Sequence, residues 1–184
     1  MKIEPTPFQG LVVITPQKYE DSRGYFFESF RADIFRDHGL PDHFVQENQS
    51  KSGYGVIRGL HYQVGSAAQG KLIRVIEGSI LDVVVDIRPE LPTYGRVFSK
   101  ELSAENSCQL WVPRGFAHGF AVLSDTAIIQ YKCDAYYAPA YEAGILWNDP
   151  ALGIDWKIPS DRAVLSAKDQ VHPLFVDHQP IGSI

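Results

Sequence analysis

The stretch Leu72-Ile73-Arg74-Val75-Ile76-Glu77-Gly78-Ser79-Ile80-Leu81-Asp82-Val83-Val84-Val85-Asp86-Ile87-Arg88 decides the fold class. From Ser79 onward it alternates. Leu81, Val83, Val85 and Ile87 fall on one face of an extended chain, and Asp82, Val84, Asp86 and Arg88 on the other. The run 72–76 is rich in β-branched residues, and Glu77-Gly78-Ser79 between the two runs predicts a hairpin turn. Working outward, similar runs predict strands over 11–15, 25–30, 46–50, 56–63, 96–102, 109–112, 119–122 and 127–134. A helix fits only over 29–38, with a turn near 161–167. Many short strands punctuated by Gly and Pro predict an all-β sandwich or barrel with few helices, not a parallel α/β sheet.

At 184 residues the chain has the length of one domain, expected to span 1–184. The Pro-containing ends (Pro5, Pro7; Pro173, Pro180) read as short arms placed to pack on a neighbour. With 45% hydrophobic and 21% charged residues, disorder and fibrous repeats are excluded. Seventeen Lys+Arg against 22 Asp+Glu leave a net charge of −5, so no basic field draws nucleic acid. A few converging arginines can still hold a small anion. Two cysteines, Cys108 and Cys133, suit a reducing compartment. Neither a signal peptide nor a membrane-spanning run is visible, and a cytoplasmic location is expected.

Chemistry-bearing residues concentrate in a few places. His61 lies in Val56-Ile57-Arg58-Gly59-Leu60-His61-Tyr62-Gln63, and His118 follows Pro113-Arg114-Gly115-Phe116-Ala117. Pro-x-Gly-x-x-His resembles the second half of the cupin metal pattern. The first half wants a second histidine where Gln63 stands, so no metal is expected. Strict alternation puts Arg58 on the face opposite His61, but a bulge at Gly59 would re-aim it. Lys71 opens the next strand and Tyr131 lies in Ile128-Ile129-Gln130-Tyr131-Lys132. His, Arg, Lys and Tyr gathered in a barrel interior would make a costly core and a sensible active site. Phe26 and Glu28 share a strand face with Arg23 just outside, which suits either a base with its phosphates or an ordinary edge strand. Gln46-Glu47-Asn48 puts two amides on one face, suited to a sugar or a base or to plain sheet polarity. Asp169 either orients a histidine or caps a turn.

Eight segments occur together in a family order. They are Asp21-x-Arg23-Gly24-x-Phe26-x-Glu28, Gln46-Glu47-Asn48, Arg58-Gly59-Leu60-His61-Tyr62-Gln63, Gly70-Lys71-Leu72, Val112-Pro113-x-Gly115-Phe116-Ala117-His118-Gly119-Phe120, Tyr131-Lys132, Tyr136-Tyr137 and Ser166-x-Lys168-Asp169. Over roughly residues 3 to 176 the chain resembles the dTDP-4-dehydrorhamnose 3,5-epimerases, cupin-type jelly rolls that work as homodimers without metal or other cofactor. The resemblance implies His61 as general base, oriented by Asp169, and Tyr131 as proton donor on the opposite face of the sugar. It implies Lys71 at the enolate oxygen and Arg58 and His118 in the pocket wall. It further implies nucleotide-sugar contacts from Arg23, Glu28, Gln46, Glu47, Asn48, Glu142 and Lys168, with Phe26 and Tyr137 packing on thymine. The Arg23–Glu28 segment is expected to reach the partner subunit's substrate. Three rivals share parts of the pattern: a single-centre epimerase or ketoisomerase, a non-catalytic sugar-nucleotide binder, and a cupin metal dioxygenase.

Overall fold

The computed structural model describes residues 1–182; the last two residues of the expected 1–184 domain lie outside the described residues. Two antiparallel sheets face each other. One has six strands in the order β1 (Lys2–Pro5), β2 (Val12–Thr15), β10 (Gln109–Val112), β7 (Lys71–Glu77), β12 (Thr126–Cys133) and β5 (Gln46–Gly53). The other has five, in the order β13 (Glu142–Gly144), β6 (Ile57–Gln63), β11 (Phe116–Val122), β8 (Ser79–Asp86) and β9 (Val97–Ser103). A separate hairpin pairs β3 (Tyr19–Asp21) with β4 (Gly24–Phe26). The one α-helix among the described residues, α1, is short (Ala32–Asp37). This is the all-β, cupin-type sandwich that the strand pattern and the resemblance predict.

Strand β8 shows how both faces come to be buried. Leu81, Val83, Val85 and Ile87 pack beneath the C-terminal segment, against Ile145, Leu152, Trp156 and Ile181. Ile80 and Val84 face between the sheets, with Ile73, Leu110, Phe120 and Ile129. Asp82 and Asp86 lie on that same inner face, fully buried, and each is satisfied by hydrogen bonds. A third cluster covers the outside of the six-stranded sheet, where Phe35 of α1 meets Val12, Ile14, Leu72 and Trp111.

The turn at Glu77-Gly78-Ser79 is not a hairpin. Strands β7 and β8 belong to different sheets, and β8 pairs with β11 and β9 instead. Gly78, at φ +76°, turns a corner from one sheet to the other, with Thr126 and Ser124 so close that a Cβ would not fit. Other expectations also shift. The strand over 25–30 stops at Phe26, and the helix over 29–38 shortens to Ala32–Asp37. Both arms fold back on their own chain. Lys2–Pro5 pairs with β2, and Ile181 is buried with its carbonyl accepting from the Gly65 N–H at 2.6 Å.

Gly59 is the point where the fold aims the site. His118 pairs with His61 and Phe120 with Arg58, so three residue steps on β6 oppose two on β11. This bulge turns Arg58 onto the face of His61. Gly59 has φ +130°, and a Cβ there would sit 2.5 Å from Gly119 Cα and 2.9 Å from the His118 carbonyl oxygen. Backbone atoms cannot yield as side-chain tips do. Gly59→Ala is expected to cost about 3 kcal/mol, from the Gly-only backbone conformation plus the clash. Its urea midpoint falls accordingly, and turnover falls with it because Arg58 and His61 lose their shared face.

Candidate active site

The interior between the sheets opens at one end into a cavity of about 700 Å3, lined in part by Arg58, His61, Lys71, His118, Tyr131, Lys168 and Asp169. A second lobe of about 430 Å3 adjoins it and shares Ser50, Arg58, His61, Lys71 and Tyr131. Gln46, Asn48, Tyr137 and Glu142 line this second lobe. His61, Arg58 and His118 come from the five-stranded sheet, while Lys71 and Tyr131 come from the six-stranded one. Groups from opposite walls thus look at each other across one space.

On the first wall, His61 Nε2 lies 2.6 Å from Asp169 Oδ1. Asp169 is 2% exposed, and its backbone N–H donates to the Ser166 hydroxyl at 3.2 Å. Burial raises the Asp169 pKa, but the His61 hydrogen bond and charge, with Ser166, outweigh it and hold the carboxyl below its ordinary value. An ionised Asp169 fixes the His61 proton on Nε2, leaving the lone pair on Nδ1. The segment carrying Asp169 reaches the sheet through a parallel bridge between Val164 and Val56, with the Ile57 N–H donating to the Val164 carbonyl. His118 has its own carboxylate, Asp82, at 2.9 Å. Arg58 donates to the Ser52 hydroxyl through Nε and Nη2 at 3.3 and 3.2 Å.

On the second wall, the Lys71 ammonium stands 6.0 Å from the Tyr131 ring centroid. Among the described residues it has no ion-pair or hydrogen-bond partner. Desolvation lowers its pKa, against the pull of Cys133, Asp82 and Glu142. Tyr131 shifts the other way: burial and the Cys133 thiol raise its pKa, against the Asn48 hydrogen bond and the Arg58 charge, so the phenol keeps its proton. At the rim, Glu142 accepts from Lys168 Nζ at 2.6 Å and from the Tyr137 hydroxyl at 3.0 Å. The site is rich in cations, which suits an anionic ligand and any oxyanion formed within it.

Four expected contacts lie elsewhere in the chain. Arg23 and Phe26 line a hollow on the β3–β4 hairpin, where Arg23 pairs with Asp21 at 2.5 Å. Glu28 sits beside Arg31 at 3.8 Å. Glu47 points to the opposite face of β5 from Gln46 and Asn48, in an ion pair with Lys132 at 2.7 Å; strand alternation sends it out of the cavity. Gln63 does not act as a cupin ligand. Its Nε2 donates to the Ala67 and Tyr136 carbonyls and its Oε1 accepts from the Ala138 N–H, so His61, Gln63 and His118 do not fit a metal's donor set. The sequence analysis assigned no role to Asp82 or Ser166, which brace His118 and Asp169. The Ser-x-x-Asp spacing of Ser166 and Asp169 was a usable turn-capping cue. Asp82 stood in the quoted strand without a partner in view.

Comparison with known proteins follows the same lines. Residues 5–177 match the family model described as dTDP-4-dehydrorhamnose 3,5-epimerase. The Salmonella typhimurium dTDP-4-dehydrorhamnose 3,5-epimerase is 48% identical over 95% of this chain and 96% of its own length. The crystal structure of the Elizabethkingia anophelis dTDP-4-dehydrorhamnose 3,5-epimerase superposes with a TM-score of 0.92 at 50% identity, covering 96% of this chain and 97% of that one. A Legionella pneumophila dTDP-6-deoxy-D-glucose-3,5-epimerase, solved in complex with dTDP-4-keto-L-rhamnose, gives 0.91 at 46% identity, covering 96% and 93%.

Proposed function

The chain belongs to the dTDP-4-dehydrorhamnose 3,5-epimerase family, and from that premise we propose how its cavity divides the work of the reaction. The enzyme is an isomerase of dTDP-L-rhamnose biosynthesis. It epimerises C3 and C5 of dTDP-4-dehydro-6-deoxy-D-glucose, giving dTDP-4-dehydro-L-rhamnose. Both carbons flank the C4 ketone. Loss of either proton gives an enolate, and a proton returned to the other face inverts the centre. The substrate's own carbonyl is the electron sink.

In this reading His61 Nδ1 removes the proton, with Asp169 holding the ring and favouring the imidazolium that forms. Lys71 donates to the enolate oxygen, aided by Arg58 and His118. Tyr131 returns the proton from the facing sheet. Gln46, Asn48, Tyr137, Glu142 and Lys168 hold the nucleotide in the second lobe and at the rim. The observation that carries the assignment is the opposition of the two walls: a carboxylate-bound imidazole on one sheet, a protonated phenol on the other, and beside the phenol an ammonium with no ion-pair partner among the described residues. Tyr131→Phe tests it. Solvent deuterium is expected to keep entering at C3 and C5 by way of His61, while epimerised product forms about 100-fold more slowly, in the range for loss of a general acid. Unchanged epimerisation in this variant would remove Tyr131 from the role.

The same reading takes 1–184 as one epimerase domain and the active form as a homodimer. The β3–β4 hairpin supports the latter: Tyr19, Tyr25 and Phe26 are 62%, 57% and 65% exposed, more aromatic surface than an isolated hairpin keeps in water without a use. Arg23, Phe26 and Glu28 then serve the partner subunit's cavity. No helix among the described residues is long and apolar enough to cross a membrane. A cytoplasmic location fits that, together with two free cysteines.

A further inference from the structure

His172 has no part in the reaction described above, and it lines neither lobe of the cavity. Its position is nevertheless specific. The ring packs flat on Gly144, where a Cβ would lie 2.5–2.6 Å from three of its atoms, and Gly144 is the residue paired with His61 across β13 and β6. The two imidazoles meet edge to face at 5.6 Å between centroids. His172 Nε2 is out of contact with solvent and has no hydrogen-bond partner among the described residues. The side chain is 12% exposed, and this nitrogen lies 3.6 Å from Asp169 Oδ1, the same oxygen that holds His61. A buried ring nitrogen left without a partner is a costly arrangement, and it faces two further donor atoms.

We propose that His61, Asp169 and His172 form an inhibitory site for a divalent transition cation of the zinc class. One donor atom from each lies within 4.8 Å of the other two. Two imidazoles and a carboxylate are a donor set that such cations prefer, with a fourth position left to water. Zinc–ligand bonds of about 2.0–2.1 Å place tetrahedral donors roughly 3.3 Å apart. The His172–Asp169 distance of 3.6 Å is already near that value. The His61–Asp169 contact has to open by about 0.7 Å to match, a small rotation of two side chains.

Inhibition follows from tautomer chemistry. With Asp169 on Nε2, the neutral His61 ring carries its proton on Nε2 and its lone pair on Nδ1. A cation bound at Nε2 takes the lone pair there, and the single ring proton moves to Nδ1. The atom that has to receive the substrate's proton then has nothing to receive it with. His172 supplies the third ligand that lets the cation compete with a proton for the space between His61 and Asp169.

The experiment uses the full-length protein, freed of metal with a chelator: Co2+ is titrated without substrate, and Zn2+ is titrated into the exchange reaction with dTDP-4-dehydro-6-deoxy-D-glucose in deuterated water. Co2+ is expected to give visible d–d bands of tetrahedral intensity at one cation per chain, and Zn2+ to abolish deuterium exchange at C3 and C5. His172→Gln is expected to retain wild-type turnover while losing the Co2+ bands and weakening Zn2+ inhibition by at least about tenfold. Equal Zn2+ inhibition of wild type and His172→Gln overturns the proposal, as does a thiolate charge-transfer band that puts Co2+ on Cys108 or Cys133. If the variant fails to fold, imidazole resonances of the wild-type protein decide: one equivalent of Zn2+ must shift both His61 and His172, and a shift of neither, or of one alone, overturns the site. The cobalt and NMR arms need no substrate, so they stand whatever becomes of the assigned catalytic roles.

Discussion

Replacing His61 with alanine is expected to lower turnover about 10^4-fold, the upper end of what loss of a positioned base costs, which corresponds to roughly 5.5 kcal/mol in the barrier. The effect should sit at the top of that range because nothing else on that wall can take its place. Asp169 is ionised, but it lies behind the ring, 2% exposed. His118 is held by Asp82 in the same way, but its side chain is 9% exposed against 26% for His61, so its free nitrogen is far less open to the cavity. Arg58 does not deprotonate. Binding of dTDP should survive, since the groups assigned to the nucleotide stand in the second lobe and at the rim. The alanine variant also leaves Asp169 as a buried carboxylate without its main partner, and some loss of stability will accompany it. His61→Asn separates the two effects: its amide can still donate to Asp169, yet it cannot accept a proton from carbon. The measurement is NMR of dTDP-4-dehydro-6-deoxy-D-glucose in deuterated water. No deuterium at C3 or C5 in the asparagine variant, with dTDP still bound, is the expected result. Exchange at the wild-type rate would show that another group is the base.

Alternation along a strand reports which residues share a face, and most of the cavity was legible on that basis. Lys71, Tyr131, Gln46 and Asn48 point inward as a period of two requires. Arg58 does so only because the bulge at Gly59 adds a residue, a departure the glycine itself advertised. Alternation does not report which strand lies alongside. Glu77-Gly78-Ser79 has the composition of a hairpin turn, yet Gly78 leads the chain from one sheet to the other, and nothing local distinguishes the two uses. Nor does it say how many faces are covered. Asp82 and Asp86 share the second face of β8, whose covering alternation leaves open, and they are buried partners of His118 and Arg88. The least legible part is the aperiodic segment after Gly144. It carries Ser166 and Asp169 to the site, with His172 behind them, through an isolated bridge at Val164, and a lone bridge leaves no repeat in the sequence. Glu47 shows the opposite error: it is part of a family motif, but its strand position turns it toward Lys132.

Lys71→Met is expected to lower kcat by about 10^2–10^3-fold, the loss of about 3–4 kcal/mol that one preorganised donor contributes to an oxyanion. Affinity for dTDP should stay near the wild-type value. The size of the effect follows from the proton transfer itself. A ketone α-proton lies roughly 12 pKa units above imidazole, a gap of about 16 kcal/mol at 1.36 kcal/mol per unit. His61 cannot close that gap by position alone, so the enolate oxygen must be stabilised as charge develops on it. Lys71 is suited to this because its ammonium has no ion-pair partner among the described residues and is already partly desolvated, as its lowered pKa reflects. A donor held in advance of the reaction, and not committed to a carboxylate, strengthens its hydrogen bond mainly when the oxygen gains charge. That places its contribution in the transition state, and therefore in kcat. The lowered pKa has a direction to it as well: Lys71 loses its proton at lower pH than a free lysine, so wild-type activity should fall on the alkaline side before an ordinary lysine would titrate, and the methionine variant should lack that limb. Methionine keeps the apolar stem in the space beside Tyr131 and removes only the charge and its donors. Steady-state kinetics with titrated dTDP affinity reads the split. A variant with unchanged kcat and weakened dTDP binding would make Lys71 a phosphate or sugar contact, and the stabilisation of the enolate would then fall to Arg58 and His118.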